Sequence, residues 1–194
     1  MAVQDETINK IINNPNDNYV TKRILTTDPA LEMWRPTLSD MFIQSFSLAY
    51  RDVQLNLPPE QTLSTYLEHS FNTAWSLVKS GKLQLFIEVA RDSSELVAGF
   101  MCIQPKDSIC YIEQFVVHPD FQRMKIGSNL LKAVKERYNL IWLHTRHINE
   151  VAISFYAQHG FIRSDDDDNG SVYPIEFPLR SPDTYLRMKK IISH

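Results

Sequence analysis

Gln122-Arg123-Met124-Lys125-Ile126-Gly127, leading into Ser128, combines residues that can hold an anion. If this stretch is a turn that opens a helix, its amides have no intrahelical acceptor, and the helix dipole adds partial positive charge there. Such a turn can hold a phosphate or pyrophosphate with backbone N–H groups. Arg123 and Lys125 add formal charge, and Gly127 lets the backbone come close to a ligand.

The flanking segments supply the elements that this turn needs. Before it, Ile112, Phe115, Val116 and Val117 form an apolar, β-branched run, as a buried strand would. Pro119 cannot extend a ladder and holds His118 extended, so the strand ends there. After the turn, Leu130, Leu131, Val134 and Tyr138 recur at helical spacing, with Lys132, Lys135, Glu136 and Arg137 largely on the other side.

Composition narrows the class. A chain of 194 residues fits one α/β domain with a sizeable core, or two very small ones. Net charge is −3, so no broad nucleic-acid footprint is expected. The two cysteines, Cys102 and Cys110, lie in apolar strand-like runs and read as buried free thiols, not a disulfide framework or metal site. The segment MAVQDETINK lacks a basic n-region and an apolar h-region, so it is not a secretory signal. No apolar run approaches membrane-spanning length, and a reducing, cytoplasmic setting is the default expectation.

In chain order, residues 1 to about 18 are polar and Asn-rich and read as an arm, with one domain over residues 19–194. Tyr19 to Thr26 reads as a first strand. Asp28-Pro29 signals a helix start. Pro36 should break or kink that helix, with a helix resuming at Leu38. Leu57-Pro58-Pro59 should open a second helix, striped by Leu63, Leu67, Phe71, Ala74, Trp75 and Val78 and closed by Gly81. The aromatics Phe71 and Trp75 are assigned to core. Leu83 to Ala90 and Leu96 to Gln104 read as a hairpin joined by Arg91 to Ser94, and Lys106-Asp107-Ser108 turns into the strand bearing Glu113. Leu140 to Thr145 is a buried strand, Asn149 starts a helix that ends at Gly160, and Thr184 to Ile191 is the last strand.

Two of these segments resemble motifs of the GNAT superfamily of N-acetyltransferases. The first is similar to motif A, a strand ending V-x-P followed by Q/R-x-x-G-x-G/A and an amphipathic helix. Gln122 fills the Q/R position and Gly127 the last Gly, while Lys125 replaces the first Gly, which requires a negative φ or tolerated strain there. The second is similar to motif B, N-x-x-A-x-x-F/L-Y-x-x-x-G-F, matched by Asn149, Ala152, Phe155, Tyr156, Gly160 and Phe161. The resemblance spans roughly Val20 to Ile191. It implies an α/β (α+β) fold: a mixed, mostly antiparallel twisted sheet of about seven strands flanked by about four helices.

It also implies acetyl-CoA as acyl donor, an amine acceptor and no metal. The amides of Gln122, Arg123, Met124, Lys125, Ile126, Gly127 and Ser128 would hold the pyrophosphate. Main-chain groups of Phe115, Val116 and Val117 would orient the thioester, one N–H also stabilising the developing oxyanion. The acceptor must lose a proton, because an amine of pKa about 10.4 is ammonium at neutral pH. Two strand residues are candidate general bases, Glu113 and His144; otherwise Glu113 pairs with a cation and His144 is a hydrogen-bonded structural residue. Tyr156 stands at the family's general-acid position, or is a core tyrosine. Asn149 would contact the pantetheine arm, cap its helix, or do both.

The acceptor is not legible in the sequence. Asp165 to Asp168 would form a solvated loop and, at a cleft rim, would draw cationic amines. The family often dimerises, sometimes through its last strands. A catalytically degenerate domain that senses acyl-CoA or mediates interactions is the alternative to an enzyme, and O-acyl transfer is a third reading.

Overall fold

One strand, two helices and a run of three strands precede the second half, where helices and strands are interleaved, and the central sheet follows from how they are joined. The computed structural model describes residues 18–53, 55, 57–93, 96–164 and 173–192. The arm, apart from Asn18, and the aspartate run Asp165 to Asp168 lie outside the described residues. The strands are β1 (Tyr19–Ile24), β2 (Gln84–Ala90), β3 (Val97–Lys106), β4 (Ile109–Val117), β5 (Leu140–Arg146), β6 (Ile162–Arg163) and β7 (Tyr185–Ile191). The helices are α1 (Leu31–Ala49), α2 (Leu63–Lys79), α3 (Ile126–Lys135) and α4 (Glu150–Gln158), with a 3-10 turn at Pro119–Phe121.

The seven strands form one mixed sheet in the order β1-β2-β3-β4-β5-β7-β6. Short polar turns make β2, β3 and β4 an antiparallel meander, as their spacing predicts. The connection through α3 returns the chain in the same direction, so β4 and β5 pair in parallel while every other pair is antiparallel. Period-two alternation divides the core. Phe100 and Cys102 face α1 and α2 with Leu38, Phe42, Phe71 and Trp75. Met101 and Ile103 face α3 with Ile112, Leu130, Val134 and Ile141. Cys102 and Cys110 are free and buried, on opposite faces. No helix among the described residues is long and apolar enough to cross a membrane.

Three local readings need correction. The helix does not break at Pro36: α1 runs continuously from Leu31 through it. Pro36 forfeits one early amide bond, and the burial of Leu31, Leu38, Met41 and Phe42 on one face outweighs that loss. Asp28 prepares this helix without beginning it: its carboxylate accepts the Ala30 amide at 2.8 Å and its carbonyl accepts the Leu31 amide at 2.9 Å. Leu57-Pro58-Pro59 does not open α2; the start is Thr62, whose hydroxyl accepts the Thr65 amide at 3.2 Å while Thr65 accepts the Thr62 amide at 3.1 Å. That reciprocal cap satisfies two end amides, which the prolines cannot do. Gly81 closes α2 with φ 77°, as its position predicts.

Candidate active site

Register determines where the sheet opens. The parallel pairing of β4 with β5 covers only Ile109 to Ile112 against Leu140 to Leu143. Beyond it, β5 continues to Arg146 against β7, while β4 continues to Val117 against β3. The two strands therefore part, and main-chain groups of Phe115, Val116 and Val117 border a wedge that β5 does not fill. A register shift opposite Cys102 and Ile103 marks the branch, since Cys102 faces Gln114 and Ile103 faces Ile112. Glu113 is the extra residue of that bulge.

The turn before α3 lies at the mouth of β4. Arg123 and Lys125 have positive φ, 63° and 64°. Lys125 thus adopts at the family's glycine position the left-handed conformation that a glycine would, at a cost of about 1–2 kcal/mol. Left-handed Lys125 followed by helical Ile126 forms a nest of converging amides. Among the described residues, the amides of Arg123 and of Lys125 through Ser128 make no hydrogen bond, whereas those of Gln122 and Met124 bond within the turn. Those open donors suit an anion such as a diphosphate. Gly127 serves packing: a Cβ there would stand 3.0 Å from Cζ of Phe155. Ser128 pairs its hydroxyl with Nε2 of His159 at 3.0 Å.

The structure also reveals a glycine that the sequence reading passed over. A Cβ on Gly99 would lie 2.8 Å from the Val116 carbonyl and 2.9 Å from Ile126. Its absence lets the start of α3 sit on β3 beside the wedge. Asn149 caps α4, accepting the Ala152 amide at 3.1 Å. Tyr156 lies on α4 among Phe115, Phe155 and Phe161, with ring centroids 6.1, 5.5 and 5.5 Å away. Burial raises its phenol far above the ordinary range, and the neighbouring Tyr50 adds to the effect. Asn149, Tyr156, Phe115 and the α3 turn therefore border one region.

Glu113 and His144 lie on the α1–α2 side of the sheet. Burial pushes the Glu113 carboxyl up, against the pull of Arg180, which donates to it at 2.9 Å. His144 is held at both nitrogens: Arg187 donates to Nε2 at 3.3 Å and the Tyr111 hydroxyl lies 3.2 Å from Nδ1. An arginine only donates, so Nε2 is the acceptor in that contact.

A further cluster, absent from the sequence reading, stands above this pair. Arg146 lies 5.5, 5.9 and 5.1 Å from the ring centroids of Tyr50, Tyr66 and Tyr185, and donates to the Tyr66 hydroxyl at 3.2 Å. Burial holds the Tyr50 phenol up, at about 12. Arg146 is two residues beyond His144 on the same strand face, a spacing that could have flagged it. Nothing local flags Tyr50, Tyr66 or Arg180, which come from distant segments. Among the described residues, no group of three or more His, Cys, Asp or Glu could hold a metal ion.

Comparison with known proteins agrees with this geometry. Residues 41–161 match the model of the Acetyltransferase (GNAT) family, more than half of the chain. Among solved structures, the PaiA N-acetyltransferase of Thermoplasma acidophilum, in complex with coenzyme A, aligns at TM-score 0.63 and 16% identity, over 89% of this chain and 98% of that one. An acetyltransferase of Streptococcus agalactiae aligns at TM-score 0.59 and 15% identity, over 90% and 98%. A GNAT-family acetyltransferase of Staphylococcus aureus aligns at TM-score 0.55 and 16% identity, over 89% and 99%. At such identities the likeness is one of fold.

Proposed function

The chain belongs to the GNAT acetyltransferase family, and from that premise we propose that it is an acetyl-CoA-dependent N-acetyltransferase whose amine acceptor attacks the thioester directly. The observation that most supports this is the opening between β4 and β5 beside a turn in which the amides of Arg123 and of Lys125 through Ser128 have no partner among the described residues. When bound, acetyl-CoA supplies an activated acyl group and a thiolate leaving group.

In this reading the amides of Arg123 and of Lys125 through Ser128 hold the diphosphate, with Gln122 and Met124 shaping the turn and the Arg123 and Lys125 side chains adding charge. Main-chain groups of Phe115, Val116 and Val117 position the thioester, and Asn149 contacts the pantetheine arm while capping α4. Glu113, or His144 in its place, takes a proton from the acceptor ammonium. The neutral amine attacks the thioester carbonyl and the C–N bond forms; as the tetrahedral adduct collapses the C–S bond breaks, Tyr156 gives its phenolic proton to the departing sulphur, and the proton shed by the new amide nitrogen restores the phenol. The raised Tyr156 pKa keeps that proton in place at neutral pH.

A catalytically degenerate acyl-CoA sensor is the second reading. It is favoured by the engagement of Glu113 Oε1 with Arg180 and of both His144 nitrogens. One experiment separates the two. Acetyl-CoA at a hundred times its Kd should stabilise the protein by about 2.7 kcal/mol in either case. Release of free thiol on adding a panel of primary amines supports the enzyme. Binding without thiol release supports the sensor, and release only with hydroxyl acceptors would mean O-acyl transfer. No stabilisation by acetyl-CoA removes both.

A further inference from the structure

The cluster around Arg146 has no part in the steps above, yet it borders the same opening. β5 alternates, so Ile141 and Leu143 face α3 while Trp142 packs with Tyr111 on the opposite face. Arg146 is in step with Trp142 and His144. It therefore lies on the face away from the diphosphate turn, toward Tyr50 after α1 and Tyr66 in α2. Arg146 is also three residues past Leu143, the last residue paired with β4, so it lies within the opened part of the sheet.

Its chemistry is unusual for a structural arginine. Among the described residues no carboxylate pairs with it, and its hydrogen bond is to the Tyr66 hydroxyl. A guanidinium has five N–H donors, so most remain for a ligand. Three tyrosine rings enclose it and partly remove it from water, which strengthens any charge pairing it makes. Arg180 lies 5.7 Å from the centroid of the Tyr185 ring, but its charge is met by Glu113. Among the described residues, Arg146 is a positive charge on this face that no carboxylate meets, while Arg187 nearby is engaged with His144. Tyr50 links the cluster to the reaction centre, since it is also the ionisable neighbour of Tyr156.

We propose that Arg146, enclosed by Tyr50, Tyr66 and Tyr185, recognises an anionic group on the acceptor, so that the substrate is an amine bearing a carboxylate or a phosphate. This rests on the transferase reading for the word substrate, while the anion site itself can be tested without turnover. It differs from the expectation drawn from the aspartate run, which lies outside the described residues: beside Arg146 the sign of charge suits an anion.

The test uses paired probes: β-alanine against β-alaninamide, and O-phosphoethanolamine against ethanolamine. Each is titrated calorimetrically into the CoA-saturated protein and, separately, assayed with acetyl-CoA by thiol release. In at least one pair the anionic member should be favoured, in Kd and in kcat/KM, by about 10–100-fold, as a charge-assisted hydrogen-bonded contact gives. Which pair responds separates carboxylate from phosphate. Arg146→Gln should bring that preference to within about threefold while coenzyme A still binds, and Arg146→Lys should restore part of it for phosphate more than for carboxylate. Equal binding within both pairs, preference for the neutral member, or no binding of either anionic probe would overturn the proposal, as would a preference that survives Arg146→Gln. If Arg146→Gln fails to fold, Tyr66→Phe is the second variant, and the wild-type comparison still decides. Anion-selective binding without thiol release would keep this site and remove the transferase reading.

Discussion

The guanidinium of Arg180 donates to the Glu113 carboxylate across 2.9 Å, on the bulge where β4 leaves β5. Burial raises that carboxyl and the arginine pulls it back, with burial prevailing. A base must be deprotonated, so the rate of acetyl transfer should rise with pH along a limb above the ordinary 4.5. Arg180→Gln removes the pull and should move the limb to higher pH. Glu113→Gln should abolish the limb and lower kcat by about 10²–10⁴. A limb unchanged in Glu113→Gln but lost in His144→Ala would give the role to His144. Stability has the matching sign: the folded state binds this proton more tightly, so the group's contribution falls as pH rises through its window, and Glu113→Gln should remove that slope.

Tyr156→Phe tests the proton donor. The ring and its neighbours Phe115, Phe155 and Phe161 stay, so folding and coenzyme A affinity should be unchanged. The expected loss in kcat is about 10²–10⁴. An unchanged rate would remove Tyr156 as the acid.

Lys125→Gly separates strain from charge. A glycine relieves about 1–2 kcal/mol of left-handed strain but adds unfolded-state entropy worth roughly 0.5–1. Denaturant titration should show a net gain of up to about 1.5 kcal/mol. Coenzyme A affinity should fall by less than about fivefold, the value of one exposed charge. Destabilisation would mean that Lys125 makes its conformation favourable in some other way.

Gly99→Ala should push on both the Val116 carbonyl and Ile126. Overpacking of this kind costs about 1–3 kcal/mol, and because it displaces the start of α3 it should also weaken coenzyme A binding. Gly81→Ala is the control. Its φ of 77° makes alanine strained, yet nothing lies within 4 Å of the added carbon, so stability should fall while binding holds. Equal effects on binding would detach Gly99 from the site.

Local pattern carried a large part of this protein. The apolar runs of β2 and β3 with a short polar turn between them, the stripe of α2 from Leu67 to Val78 and the Asn149 cap were readable because each depends on neighbours a few residues apart. Pro36 and Pro58-Pro59 misled because a proline limits one residue's backbone, whereas burial of a whole helix face, or a cap at Thr62, decides where a helix runs. The turn from Gln122 to Ser128 and the capped helix from Asn149 to Phe161 were legible because each is a short, contiguous conformation.

The acceptor half of the cleft was not legible, for the opposite reason. Glu113 meets Arg180 across 67 residues, and Arg146 meets Tyr66 across 80. No spacing rule links such partners. Their meeting depends on where β4 and β5 separate and on which face each side chain takes, and both are set by pairing across the whole sheet. A turn with open amides is thus written in the chain's order, while the cluster of Arg146 with Tyr50, Tyr66 and Tyr185 exists only once distant segments have packed together.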